Sequence, residues 1–272
     1  MQRIFRLTKV MFFISLVIVL ASGLYLKFFV TKTKNITVQK VAEDIKSSVA
    51  NDVATIKSDI VSTPASQNSS SGNYKSVSTA VPFIVQAPNG NWRDPVYQNA
   101  CEESSALMAI SWAQGKTSID SNFANQEIKN ISDFETKIFG SYVDTNVDDT
   151  ARFIKEYFKY NNIEVRKNIS ASDIIAELEK GNVLIVPMFG QALGNPHYTA
   201  PGPIEHMLVV IGYDAKKNEF ITNDPGTKFG QGYRYSLSTF VNAIWMYPTS
   251  SQPVPYPGQS NAQKAMIVVS RP

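Results

Sequence analysis

Apolar positions change their rhythm repeatedly along the chain. Val10–Leu26 carries no charge and is broken only by Ser15, Ser22 and Gly23. As a helix it rises about 25 Å, a little short of a ~30 Å hydrocarbon core, and Phe28–Val30 prolong it beyond Lys27. A membrane anchor over 1–34 is therefore expected, with a cleaved signal peptide ending near Ala21-Ser22-Gly23 as the alternative. Either reading sends the rest of the chain out of the cytoplasm, as a single-pass membrane protein or, if cleaved, a secreted one. From Val38 the apolar residues continue at Val41, Ile45, Val49, Val53, Ile56 and Ile60, with gaps of 3, 4, 4, 4, 3 and 4. That is one narrow stripe of an amphipathic helix. The segment 35–61 is expected to be a stalk, either self-associating through 38–60 as a short coiled coil or serving as a loose helical spacer. The Ser-rich stretch 62–80 reads as a flexible linker.

A folded domain is expected over 81–272, long enough for one well-buried core. Val81–Val85 predicts an entry strand. Cys101–Gln114 predicts a helix, with Ala106, Leu107, Ile110 and Ala113 at helical spacing, and Val147–Tyr160 a second, with Phe153, Ile154, Tyr157 and Phe158 inward. Ser170 three residues before Asp173 forms a capping-box pattern opening a third helix, which Gly181 closes. Val183–Met188, His206–Tyr213, Phe220–Thr222 and Lys264–Ser270 are short apolar runs bounded by turn residues. The turn Asp214–Asn218 pairs the second and third as antiparallel neighbours. Helices first and strands later imply an α+β fold rather than a doubly wound sheet.

Charge narrows the function. Arg3, Arg6, Lys9, Lys27, Lys32 and Lys34 all precede the first acidic residue, Glu43, while the whole chain of 272 residues carries only +3. The remainder is net acidic, so no nucleic-acid partner is expected. One cysteine and two histidines exclude an internal disulfide and a zinc–thiolate cage, and no metal or cofactor is expected.

That single thiol stands where a helix begins. Asn99 is a good N-cap type, and the positive helix end favours a thiolate. A lone cysteine can equally be a small buried hydrophobe. Glu102 and Glu103 would raise the thiol's pKa, unless their side chains point away and simply complement the helix dipole. His206 opens one strand and Asp224 closes the next. If these strands form a hairpin, the two side chains share one end of it, and the carboxylate can orient the imidazole as a base for Cys101. Read singly, His206 is also a plausible core residue and Asp224-Pro225-Gly226 a plausible turn. His197, in a Pro- and Gly-rich loop, reads as a surface residue.

Together these residues resemble a known family. The blocks Val81-Pro82-Phe83-Ile84-Val85-Gln86-Ala87-Pro88, Tyr97-Gln98-Asn99-Ala100-Cys101-Glu102-Glu103-Ser104-Ser105, His206-Met207-Leu208-Val209-Val210 and Asn223-Asp224-Pro225-Gly226-Thr227 are similar to the double-glycine leader peptidase-like cysteine hydrolases of the papain-like group. The resemblance implies a papain-like fold, in which a helix bearing the nucleophile packs on a curved antiparallel sheet. It also implies Cys101 as nucleophile, His206 as acid and base, Asp224 as orienting residue, and a glutamine of the oxyanion hole, for which Gln98 and Gln86 both stand as candidates. The implied activity is cleavage of a peptide or amide bond through a thioester, on a peptide or protein substrate. Acyl transfer by the same triad is one alternative. The other is a non-catalytic surface-binding module, whose apolar groove Trp92, Trp112 and Trp245 would line.

Overall fold

The strands Val183–Phe189, Glu205–Asp214 and Ala265–Val269 are buried almost without alternation, because the sheet they form is covered on both faces. A computed structural model describes residues 74–252 and 254–272, which lie within one unit running Ser71–Pro272. The strands are β1 (Val77–Ser78), β2 (Ile163–Lys167), β3 (Val183–Phe189), β4 (Glu205–Asp214), β5 (Glu219–Asn223), β6 (Tyr233–Ser236) and β7 (Ala265–Val269). They form one antiparallel sheet in the order β2-β7-β3-β4-β5-β6, with the short β1 added to β4. The helices are α1 (Pro95–Gln98), α2 (Cys101–Ala113), α3 (Ser121–Phe139), α4 (Val147–Tyr157), α5 (Ala171–Glu179), α6 (Gly190–Leu193) and α7 (Leu237–Ala243).

Successive side chains of a strand point to opposite faces, and here each face has its own core. Val183, Ile185, Met207, Val209, Ile267 and Val269 join the residues of α2, α3 and α4. Their neighbours Leu184, Val186, Leu208, Val210, Met266 and Val268 join those of α5 and α7. The hairpin expected around Asp214–Asn218 forms, pairing Tyr213 with Phe220 and Val209 with Asn223 across a register shift between Val210 and Gly212. Helix α5 begins with the expected capping box of Ser170 and Asp173, and Gly181 follows it in the left-handed conformation.

Helix α2 is buried along its whole length and packs against β4, β3 and β7 as well as α3 and α4. A helix surrounded on all sides has no solvent face to keep polar, and this one carries polar residues inside instead. That choice has consequences at its first turn.

Several expectations are corrected. Val81–Val85 is not a strand. Pro82 has no N–H for a ladder, and the segment is held by isolated bonds, Asn223 Nδ2 to the Val81 carbonyl (3.1 Å) and the Gln86 N–H to the Pro225 carbonyl (3.0 Å). The entry strand is Val77–Ser78, within the stretch read as linker, and Tyr74 packs edge-on against Tyr213. Among the described residues no helix is long and apolar enough to cross a membrane. That finding stands against the single-pass placement and against the bilayer as a partner. Even α3, with 19 residues, is amphipathic and carries Glu127, Lys129, Asp133, Glu135 and Lys137. The segment 10–26 on which that expectation rested lies outside the described residues, as does the 38–60 stripe.

Candidate active site

Two walls face each other across a cavity of about 490 Å³. Its lining includes Cys101, Gln86, Gln98 and Asp144 from one side and His206, Glu205, Tyr198 and Gly226 from the other.

The sulfur wall is built by α1 and the first turn of α2. Asp94 caps α1, accepting from the Val96 N–H at 3.0 Å. The end of so short a helix leaves carbonyls without partners, and Gln86 meets them: its Nε2 donates to the Tyr97 carbonyl (2.9 Å) and to that of Gln98 (3.0 Å). This brace fixes the approach to Cys101, the first residue of α2. Asn99 does not cap α2; it closes α1, its Nδ2 donating to the Pro95 carbonyl (2.8 Å), and Ala100 occupies the N-cap without a side-chain bond.

Glu102 and Glu103 do not point away to solvent. Both are buried, because α2 has no solvent face. The Cys101 thiol lies 3.0 Å from Glu102 Oε2, and the Tyr247 hydroxyl donates to Glu102 Oε1. Burial pushes the Cys101 thiol well up, reinforced by Glu102, so the resting sulfur is a neutral thiol and the helix dipole does not prevail. Burial, with Glu103 beside it, pushes Glu102 up to about 8. Glu103 accepts from Ser132 Oγ (2.8 Å), and Glu135 accepts from Thr145 Oγ1 (3.1 Å). Among the described residues their other oxygens, Glu103 Oε2 and Glu135 Oε2, are buried without a hydrogen-bond partner. Burial likewise raises both of these acids.

On the imidazole wall the carboxylate of Asp224 is surrounded by donors. His206 Nε2 lies 2.9 Å from Asp224 Oδ1, and both side chains are buried. Asp224 Oδ2 accepts from the Tyr198 hydroxyl (2.5 Å), the Tyr235 hydroxyl (2.7 Å) and Asn195 Nδ2 (3.5 Å), while Oδ1 also accepts the Gly226 N–H (3.0 Å). Burial alone would raise Asp224, but the charge of His206, its hydrogen bond and the two tyrosine hydroxyls outweigh it, and the carboxyl is held below its ordinary value. An ionised Asp224 is acceptor-only, so Nε2 carries the imidazole hydrogen and Nδ1 is left as the basic nitrogen. Gly226 makes room for this arrangement: a Cβ there would stand 2.9 Å from His206 Cε1 and 3.1 Å from Tyr198 Cε1.

Cys101, His206 and Asp224 therefore come to one place, although the thiol's hydrogen bond goes to Glu102. Both glutamines reach the cavity, Gln86 buried and Gln98 exposed. His197 is exposed, its ring 4.5 Å from that of Phe229. Trp112 and Trp245 are core residues, and only Trp92 is exposed, so the three do not form a groove. Sequence reasoning missed Asn195, Tyr198 and Tyr235 around Asp224, and also Tyr247, Asp144 and Glu205. Only Glu205, beside His206, carried a local signal.

An α+β chain with an antiparallel sheet and these motifs defines a cysteine peptidase-like protein of papain-like fold. The chain belongs to the Peptidase_C39 like family, whose model matches residues 78–252. No curated protein matches it. Among solved structures it is similar to a candidate C39-like peptidase from Bacillus anthracis, at 17% identity and a TM-score of 0.43, covering 72% of this chain and 98% of that one.

Proposed function

We propose that the protein is a cysteine hydrolase that cleaves peptide or amide bonds at Cys101. The observation that carries this reading is the cavity itself, which holds the chain's single thiol opposite an imidazole whose Nε2 is committed to a buried carboxylate. Cys101 Sγ attacks the substrate carbonyl while its proton passes to His206 Nδ1. The tetrahedral oxyanion is met by the Cys101 N–H, at the positive end of α2, and by the buried Gln86 amide, one of whose two Nε2 hydrogens leaves the Tyr97 or Gln98 carbonyl to reach it. His206 then gives the proton to the leaving amine, and water, activated by the same nitrogen, cleaves the thioester.

Glu102 fits this chemistry as a neutral acid. Its Oε1 takes the Tyr247 O–H, so its own proton sits on Oε2, which at rest accepts the thiol's S–H. When Cys101 gives up its hydrogen to His206, the Glu102 O–H donates to the thiolate. The proton count is unchanged, and the anion left in the cavity is stabilised.

The competing reading, a non-catalytic binding module, is favoured by one observation, the thiol's engagement with Glu102 at rest. Turnover of a pool of quenched fluorescent peptides separates the two. Cys101→Ala is expected to lose all turnover, with Tm within about 3 °C of the parent. Equal cleavage by parent and variant removes the nucleophile assignment.

A further inference from the structure

The buried carboxyls around Cys101 are not alike. Glu102 is held by Tyr247 and the thiol, and Glu103 by Ser132. Glu205 Oε1 accepts from the Val254 N–H (2.7 Å). Asp144 differs: it is only 9% exposed and lines the cavity, and among the described residues its carboxyl has no hydrogen-bond donor facing it. Its carboxyl opens onto the cavity rather than being sealed in the core, so it is placed to meet a group that enters. The lining contains Glu205 as a second acid, and among the described residues it contains neither lysine nor arginine. Burial first, then Glu102 and Glu205, push Asp144 up to about 8. A cation entering the cavity would favour the ionised form of Asp144, a pairing that no lysine or arginine of the lining supplies. Among the described residues no group of three or more His, Cys, Asp or Glu side chains is placed to hold a metal ion. An organic cation fits better, because the cavity falls in the size range that accepts a side chain together with its flanking backbone.

We propose that Asp144, with Glu205, forms a subsite for a positively charged group of the substrate, an ammonium or guanidinium borne by a peptide whose scissile carbonyl lies at Cys101. This rests on the hydrolase reading for the position of the scissile bond, but the cation preference is a binding property and can be measured without turnover.

The test uses blocked peptides in which lysine, arginine, norleucine or acetyl-lysine is stepped along an alanine frame. Binding is measured by calorimetry on the full chain carrying Cys101→Ala, and turnover on the parent. At the preferred position lysine or arginine is expected to bind about tenfold or more tightly than norleucine or acetyl-lysine. Asp144→Asn is expected to bring that ratio within about twofold. Asparagine has the same shape and tolerates the left-handed backbone of Asp144 (φ 47°). If that variant does not fold, the comparison of lysine with norleucine on the Cys101→Ala chain decides alone. Equal binding of charged and neutral peptides, or no saturable binding of any cationic peptide below about 1 mM, overturns the subsite. Cleavage without cation preference overturns the subsite and leaves the hydrolase standing. A cation preference that depends on Asp144, with no cleavage of any peptide, does the reverse.

Discussion

The two walls of the cavity solve the problem of buried charge in opposite ways. The imidazole wall keeps Asp224 ionised by surrounding it with donors: two tyrosine hydroxyls, an amide, a backbone N–H and His206. The sulfur wall gathers Glu102, Glu103, Glu135 and Asp144, and burial keeps these acids protonated instead. One side is set as a fixed dipolar frame and the other as a reserve of protons. A buried anion survives only when hydrogen bonds replace its hydration. The difference between the walls is therefore a count of donors, and it can be broken from either side.

The largest effect is expected on the donor-rich side. Asp224→Asn places an amide where Tyr198, Tyr235 and Asn195 all donate, and it removes the acceptor that sets the His206 tautomer. Turnover should fall by about 10²–10⁴-fold, and stability by about 2–4 kcal/mol, read from kcat and from urea unfolding. Loss of one without the other would mean that the frame serves only folding or only catalysis.

The acid-rich side should show itself in the pH dependence of stability. Glu102 and Asp144 hold their protons up to about 8 and Glu103 up to about 7 in the folded protein, whereas in the unfolded chain such groups ionise near 4. Between those limits the native state binds more protons than the unfolded one, so stability must fall as pH rises. The expected loss from pH 5 to pH 8 is on the order of a few kcal/mol, measurable as a falling Tm. Asp224 acts with the opposite sign. Its lowered value adds stability above about pH 4, lost only as pH drops through its folded value. A Tm that rises from pH 5 to pH 8 would contradict the protonated wall.

Smaller effects sharpen the contrast. Gly226→Ala would press a methyl group against His206 Cε1 and should lower kcat about tenfold, with KM little changed, because the imidazole turns while the cavity keeps its lining. Glu102→Gln keeps an N–H facing the sulfur and should hold turnover within about threefold. It should also remove one group's share of the pH-dependent loss of stability. Glu102→Leu, which offers no donor, should not preserve turnover, and that pair of variants separates a neutral donor from a mere filler.

Much of this was legible in the sequence, for identifiable reasons. The buried strands announced themselves as apolar runs, and the Asp214–Asn218 turn was enough to bring His206 and Asp224 together. The capping box at Ser170 was local chemistry read directly. Helix α3 was not legible, since Ser132 and Glu135 stand on its buried stripe beside Ala124, Ile128 and Ile131 and break the apolar period. The inward turn of Glu102 and Glu103 was misread because carboxylates at a helix start normally face water. Their partners Tyr247 and Ser132 lie far off in sequence, and only the packing of α2 inside the fold reveals them. The donors around Asp224 escaped for the same reason: Tyr198 and Asn195 arrive from a loop, and Tyr235 from an edge strand with little apolar signal.

The central claim is that Cys101 becomes acylated with the help of His206. Intact-mass analysis of the full chain, quenched in acid after mixing with peptide thioesters or activated peptide esters, tests it most directly. The account predicts a single acyl adduct mapped to Cys101, formed at least about 10²-fold more slowly when His206 is alanine. An adduct that forms equally fast without His206, or none on Cys101 in the parent, would contradict it.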